Sequence, residues 1–111
     1  MKKIDSLSPE HVEIARMLRA LANPARLRIV LELAGQSSCV TSDFARCLPL
    51  APSTVSEHLR VLKEAGLVVG SIESPSWYCL DRSALARLAT FLQGLAAPAG
   101  SGAVAPARDR R

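Results

Sequence analysis

Hydrophobic positions along this chain recur at helical intervals, in segments that repeatedly open on a proline. The first pattern sets Val12, Ala15, Leu18 and Leu21 behind Ser8 and Pro9, with Glu10 and Glu13 near its start. A serine cap, a proline at the first helical position and carboxylates near the positive end of the dipole predict a helix there. "ANPARLRIVLELAG" repeats the grammar: Asn23 caps, Pro24 opens, Leu27, Val30, Leu31 and Ala34 form a stripe, and Gly35 stops it. "SSCV" predicts a short isolated strand. A short helix is then expected from Thr41 or Ser42 to about Leu48, with Asp43 in its first turn. After the break "LPLAP", a capped pattern opens at Pro52 and runs to Gly66; its apolar positions are Val55, Leu59 and Leu62, with His58 beside them. "LVVGSI" and "SWYCL" predict two strands around a turn at Pro75. Asp81 can cap a last helix striped by Leu85, Leu88, Ala89, Leu92 and Leu95.

The predicted order is helix, helix, strand, helix, helix, strand, strand, helix, which is mainly α with a small β-hairpin wing. A short helix, a tight turn, a second helix and a hairpin make the winged helix-turn-helix arrangement. Residues 1–8 are expected to form an N-terminal arm and 9–95 a single winged helix-turn-helix domain. The remainder, 96–111, is rich in Ala, Pro, Gly and Ser and is expected to be disordered. A chain of 111 residues holds only a small core, and folds of this size often complete theirs by dimerising.

Composition narrows the picture in three ways. No signal peptide or bilayer-length apolar run is present, so a cytoplasmic location without membrane association is expected. In that compartment three cysteines, Cys39, Cys47 and Cys79, are expected as reduced thiols rather than structural disulfides. The net charge of +4 includes the terminal "PARDRR", so charge permits nucleic-acid binding without arguing for it. No Ser/His/Asp constellation, phosphate loop or pair of acids points to an enzyme, and "SEH" is no triad because neighbours on one helix do not converge.

The helix opening at Pro52 carries the functional reading. Its apolar stripe turns Ser53, Thr54, Ser56, Glu57 and Arg60 outward, with His58 at the edge. Short hydroxyl side chains allow close approach to phosphates and base edges, and recognition helices read bases with their N-terminal residues. Glu57 repels phosphate but can accept from a cytosine amino group. The alternative is an ordinary solvated face; the hairpin that follows favours double-stranded DNA. In the wing, Ser74, Ser76 and Trp77 are placed to touch the adjacent backbone.

"LRALANPARLRIVLEL", "LPLAPSTVSEHLRVLKEAGLV" and "GSIESPSWYCLD" together resemble the ArsR/SmtB family of bacterial repressors, over about Glu10 to Leu95. The resemblance implies a winged-helix homodimer, joined through its first and last helices, that binds operator DNA and leaves it when a ligand, often a metal ion, binds. Here Val12, Ala15 and Leu18, with Leu85, Leu88 and Leu92, would supply that interface. Neither standard sensor site carries over. Val40 and Ser42 stand at the positions of the family's arsenic-type cysteines, and no His or carboxylate lies between Arg82 and Leu95 for the zinc-type site. A less characterised pattern remains, a Cys before the third helix and a wing Cys; Cys39 and Cys79 match it, while Trp77 replaces the first wing cysteine.

In a winged helix the strand after the second helix pairs with the last hairpin strand, which brings Cys39 toward Cys79. Alternation points Val40, Tyr78 and Leu80 one way and Cys39, Trp77 and Cys79 the other. Cross-strand Cβ atoms lie about 5 Å apart, close enough for a shared soft ion or a disulfide. Cys39 and Cys79, with Cys47 or a partner-chain thiol as a third ligand, would suit As(III) or Sb(III) as an inducer, no cofactor being obligatory. The same pair suits a redox switch, and all three thiols suit simple packing. The function reads as a transcriptional repressor, with an inducer-free DNA-binding protein or a winged-helix protein-interaction module as alternatives.

Overall fold

The computed structural model describes residues 7–41, 44, 46, 48–71 and 77–99. Within them the order is α1 (Pro9–Leu21), α2 (Pro24–Ala34), β1 (Val40–Thr41), α3 (Pro52–Glu64), β2 (Val68–Ser71), β3 (Trp77–Leu80) and α4 (Arg82–Ala96). This is the mainly α, winged arrangement that the spacing predicts. The arm before Leu7, the turn at Pro75 with Ser74 and Ser76, Cys47, and the tail from residue 100 lie outside the described residues.

The caps of α1 and α2 form as their sequences dictate. Ser8 Oγ accepts from the His11 amide at 3.0 Å, and Asn23 Oδ1 accepts from Ala25 and Arg26 amides at 2.8 and 3.1 Å. The buried faces differ from the expected stripes. In α1 the core takes Ile14, Met17 and Ala20, with Leu21 packed against it, while Val12, Ala15 and Leu18 are exposed. In α2 it takes Ile29, Val30 and Leu33, leaving Leu27, Leu31 and Ala34 outside. Both helices carry apolar residues on more than one face, so spacing alone admits two rotational phases. A bond from Arg26 Nε to the Ala20 carbonyl, 2.6 Å, ties α2 to the end of α1.

In α3 the polar residues leave one apolar stripe, and Val55, Leu59 and Leu62 are buried as predicted. Ala51 stands at its N-cap, so no side chain caps the helix. Gly66 ends it at φ 85°, with the Leu67 amide donating to Leu62 O at 3.0 Å. Of the expected short helix, Thr41 belongs instead to β1. Phe44 and Arg46 lie in a 3₁₀-type turn, and Phe44 and Leu48 fill the core; the rest of that span is outside the described residues.

The strands form one antiparallel sheet in the order β1-β3-β2. Val40 pairs with Tyr78 and Thr41 with Trp77 on one side of β3; Val69 pairs with Cys79 and Gly70 with Tyr78 on the other. Gly70, at φ 151°, must lack a side chain, since a Cβ there would run into the Trp77 carbonyl. Tyr78 turns inward to the core, which places Cys79 and Trp77 on the outer face. Asp81 then starts α4 by accepting from the Ala84 amide at 3.0 Å. Ala84 and Leu88 are buried, Leu85 and Phe91 partly so, whereas Ala89, Leu92 and Leu95 of the expected stripe are exposed. No helix among the described residues is long and apolar enough to cross a membrane.

Candidate nucleic-acid interface and thiol pair

Burying Val55, Leu59 and Leu62 leaves Ser53, Thr54, Ser56, Glu57 and Arg60 exposed on α3. Ala51 supplies no side-chain acceptor, so among the described residues the first-turn amides have no capping side chain. Glu57 Oε1 and Arg60 Nη1 pair at 3.0 Å, with both side chains more than half exposed. A pair this wet contributes little to stability, so Arg60 can exchange its partner for a phosphate at small cost.

His58 is placed differently. It is half-buried, and its Nδ1 lies 3.3 Å from Arg26 Nη1. A guanidinium only donates, so Nδ1 must accept and the ring proton sits on Nε2. The imidazole is thereby turned toward α2 and away from the exposed serine-rich face. Arg26, which bonds both Ala20 O and His58, is a residue that sequence spacing did not single out.

The thiols come together across the sheet. Cys39 faces Cys79 one register step beyond Val40 and Tyr78, with the Cα atoms 4.5 Å apart and the Sγ atoms in bonding contact. That separation is the spacing of a directly opposed, non-hydrogen-bonded antiparallel pair, and it lies within the range that a disulfide spans. Cys39 is exposed and Cys79 half-buried, and neither belongs to the core. Packing therefore does not account for these two. Among the described residues no group of three or more His, Cys, Asp or Glu side chains could hold a metal ion. A cleft of about 260 Å³ opens beside the pair, lined by Gln36, Ser37, Ser38 and Arg82 among others. Trp77 stands on the same sheet face, two residues from Cys79, and is 43% exposed.

Arg82 is the second residue missed by spacing. Its Nη2 donates to Ala34 O at 3.2 Å and to Gln36 O at 3.1 Å, closing the C-terminal end of α2. A cation at the first position of α4 opposes that helix's dipole but suits the carbonyl end of α2. An arginine directly after a capping aspartate was the available signal. At Asp81 itself, the Ser83 hydroxyl and the Ala84 amide hold the carboxyl below its ordinary range.

The outer faces of α1 and α4 remain apolar: Val12, Leu18, Leu92 and Leu95 are between 40% and 69% exposed. The two helices are linked by Glu13 and Arg87 at 2.8 Å and by an edge-on contact of His11 with Phe91, centroids 5.6 Å apart.

Comparison with known proteins agrees with this architecture. The helix-turn-helix domain family matches residues 21–70. The HTH-type transcriptional repressor SmtB of Mycobacterium tuberculosis is 39% identical over 88 residues, covering 79% of this chain. The chain spans 63% of that repressor's length. A crystal structure of a possible transcriptional regulator for arsenical resistance is 35% identical, with TM-score 0.60, covering 72% of this chain and 83% of that one. The solution structure of a homodimeric winged helix-turn-helix DNA-binding domain from Mycobacterium bovis, a possible ArsR-family regulator, is 28% identical with TM-score 0.63, covering 86% and 89%. By sequence and by fold, the chain belongs to the ArsR/SmtB family of winged helix-turn-helix transcription regulators.

Proposed function

We propose that this chain is a cytoplasmic transcriptional repressor that binds double-stranded operator DNA as a homodimer and is released through the Cys39–Cys79 dithiol. The observation that carries the inducer reading is the direct opposition of two accessible cysteines, Cα 4.5 Å apart, outside the core. For DNA, the support is the exposed Ser53, Thr54, Ser56, Glu57 and Arg60 at the uncapped start of α3. His58 supports that helix from behind rather than reading bases. For dimerisation, it is the second apolar face of α1 and α4, together with the homodimeric relative.

The chemistry favoured here is capture of As(III) or Sb(III). Two thiols displace two hydroxyls of As(OH)₃, forming two S–As bonds and two waters and leaving the third hydroxyl on arsenic. Soft thiolates select such an ion, and the relative tied by name to arsenical resistance points the same way. Cys47 is a candidate third thiol that lies outside the described residues. The contact of the two sulfurs favours a second reading, oxidation. There a peroxide accepts two electrons from the pair, an S–S bond forms, the O–O bond breaks, and two waters leave.

Gel shift on the DNA upstream of the protein's own gene, with As(III), Sb(III), Zn(II) or peroxide added, tests this. The expected result is a sequence-specific shift abolished by a thiophilic metalloid or by peroxide, and not by Zn(II). No sequence-specific shift would refute the repressor reading.

A further inference from the structure

We infer that Arg82 carries the state of the Cys39–Cys79 pair into α4 and so into the helix that supplies the apolar outer face. The inference rests on the thiol-controlled reading above and names how that control leaves the site.

Two short segments, 36–39 and 79–82, run side by side between two cross-links. At one end the sulfurs of Cys39 and Cys79 meet. At the other, Arg82 Nη2 holds Gln36 O at 3.1 Å and Ala34 O at 3.2 Å. The 260 Å³ cleft lies between them, with Ser37 and Ser38 in its lining. Only Leu80 and Asp81 separate Cys79 from Arg82, and Asp81 is fixed by its amide to Leu67 O at 2.9 Å and by its carboxylate to the Ala84 amide. On the other strand, Ser37 and Ser38 link Cys39 to Gln36 and would absorb any movement of Cys39 if their far end were loose.

Arg82 removes that slack. With the loop anchored at both ends, a change in sulfur separation on closing, opening or spreading by an inserted arsenic is passed to the first turn of α4. The position of the arginine fits this duty. Its charge opposes the α4 dipole, and what offsets that cost is the grip on the carbonyl end of α2. The residue sits where helix formation disfavours it, and from there its side chain reaches both Ala34 O and Gln36 O.

The test uses the full chain carrying Arg82→Ala, Arg82→Lys or, as a control on α2, Arg28→Ala, which breaks an exposed pair with Glu32. Operator affinity is measured with the thiols reduced and after As(III) or peroxide, alongside free-thiol counts and melting curves. Allosteric couplings typically change affinity about 5- to 150-fold, and wild type is expected within that range. Arg82→Ala should consume its thiols as wild type does, yet bring the ratio of the two affinities close to one. Arg82→Lys, keeping one donor, should recover part of it, and Arg28→Ala should keep all of it. A wild-type ratio in Arg82→Ala overturns the relay alone. Equal affinities in the wild type before and after treatment overturn the thiol reading, and the relay with it. Should Arg82→Ala fail to fold, amide exchange in the wild type decides: closing the pair should slow exchange at residues 36–39 and in the first turn of α4, and slowing confined to Cys39 and Cys79 contradicts the relay.

Discussion

Cys39 and Cys79, separated by forty residues of chain, stand directly opposite each other one step beyond the β1–β3 pairing, and Trp77 shares the sheet face of Cys79. Since the chain has a single tryptophan, its emission reports on this pair. Reducing the pair, or adding As(III) to the reduced protein, should change the Trp77 emission with one equivalent per chain. Cys39→Ser and Cys79→Ser should each abolish the response. A full response in either variant would remove the pairing from the account.

Among the described residues, Arg60 pairs with the exposed Glu57. Arg60→Ala should weaken operator binding by several-fold at low salt and lower the slope of log affinity against log salt by about 0.9, the value of one phosphate contact. The melting temperature should stay within a degree or two, because exposed ion pairs contribute at most about 1 kcal/mol. Affinity and slope unchanged together would remove Arg60 from the interface.

The outer face of α4 predicts the assembly. Leu92→Arg places a charge on an exposed apolar position, away from the buried Ala84 and Leu88. Sedimentation should show monomer where the wild type shows dimer, with helical circular dichroism retained. DNA affinity should fall at least tenfold as the second half-site contact is lost. A Leu92→Arg protein that remains dimeric would put the seam elsewhere.

Asp81 sets an acid limit. Its carboxyl is held below the ordinary value of 3.8 by Ser83 and Ala84, so the folded state favours the charged form. The stabilisation is complete above the unfolded value and is lost as pH falls through the lowered one. Asp81→Ala should cost about 1 kcal/mol near neutral pH, as loss of a helix cap does. The melting temperatures of wild type and variant should converge below pH 4. A gap that persists undiminished at pH 2 would contradict the capping role of the carboxylate.

How much of this was legible in the chain follows from how many phases each pattern allowed. Polar residues fill the far side of α3, so Val55, Leu59 and Leu62 had one way to face inward, and the spacing named them. In α1 and α2 apolar residues occupy two faces, and Ile14, Met17, Ile29 and Leu33 went inside because of what they meet in three dimensions. Val12, Ala15 and Leu18, expected at the dimer interface, are the other, exposed face of a helix with two apolar sides. The approach of Cys39 to Cys79 was readable, because topology and two-residue alternation together fix the register. The bonds of Arg26 to His58 and of Arg82 to Gln36 were not, since they join residues 32 and 46 positions apart through helix ends whose meeting no local pattern records.

In the proposed function the state of Cys39 and Cys79 sets DNA affinity. Fluorescence anisotropy on labelled operator DNA measures it most directly, with wild type, Cys39→Ser and Cys79→Ser each titrated reduced and after As(III) or peroxide. Treated wild type should lose affinity at least about fivefold, the lower end of ordinary coupling, while both serine variants should bind equally before and after. Treated wild type that binds as tightly as reduced protein, or serine variants that still release, would contradict the proposed function.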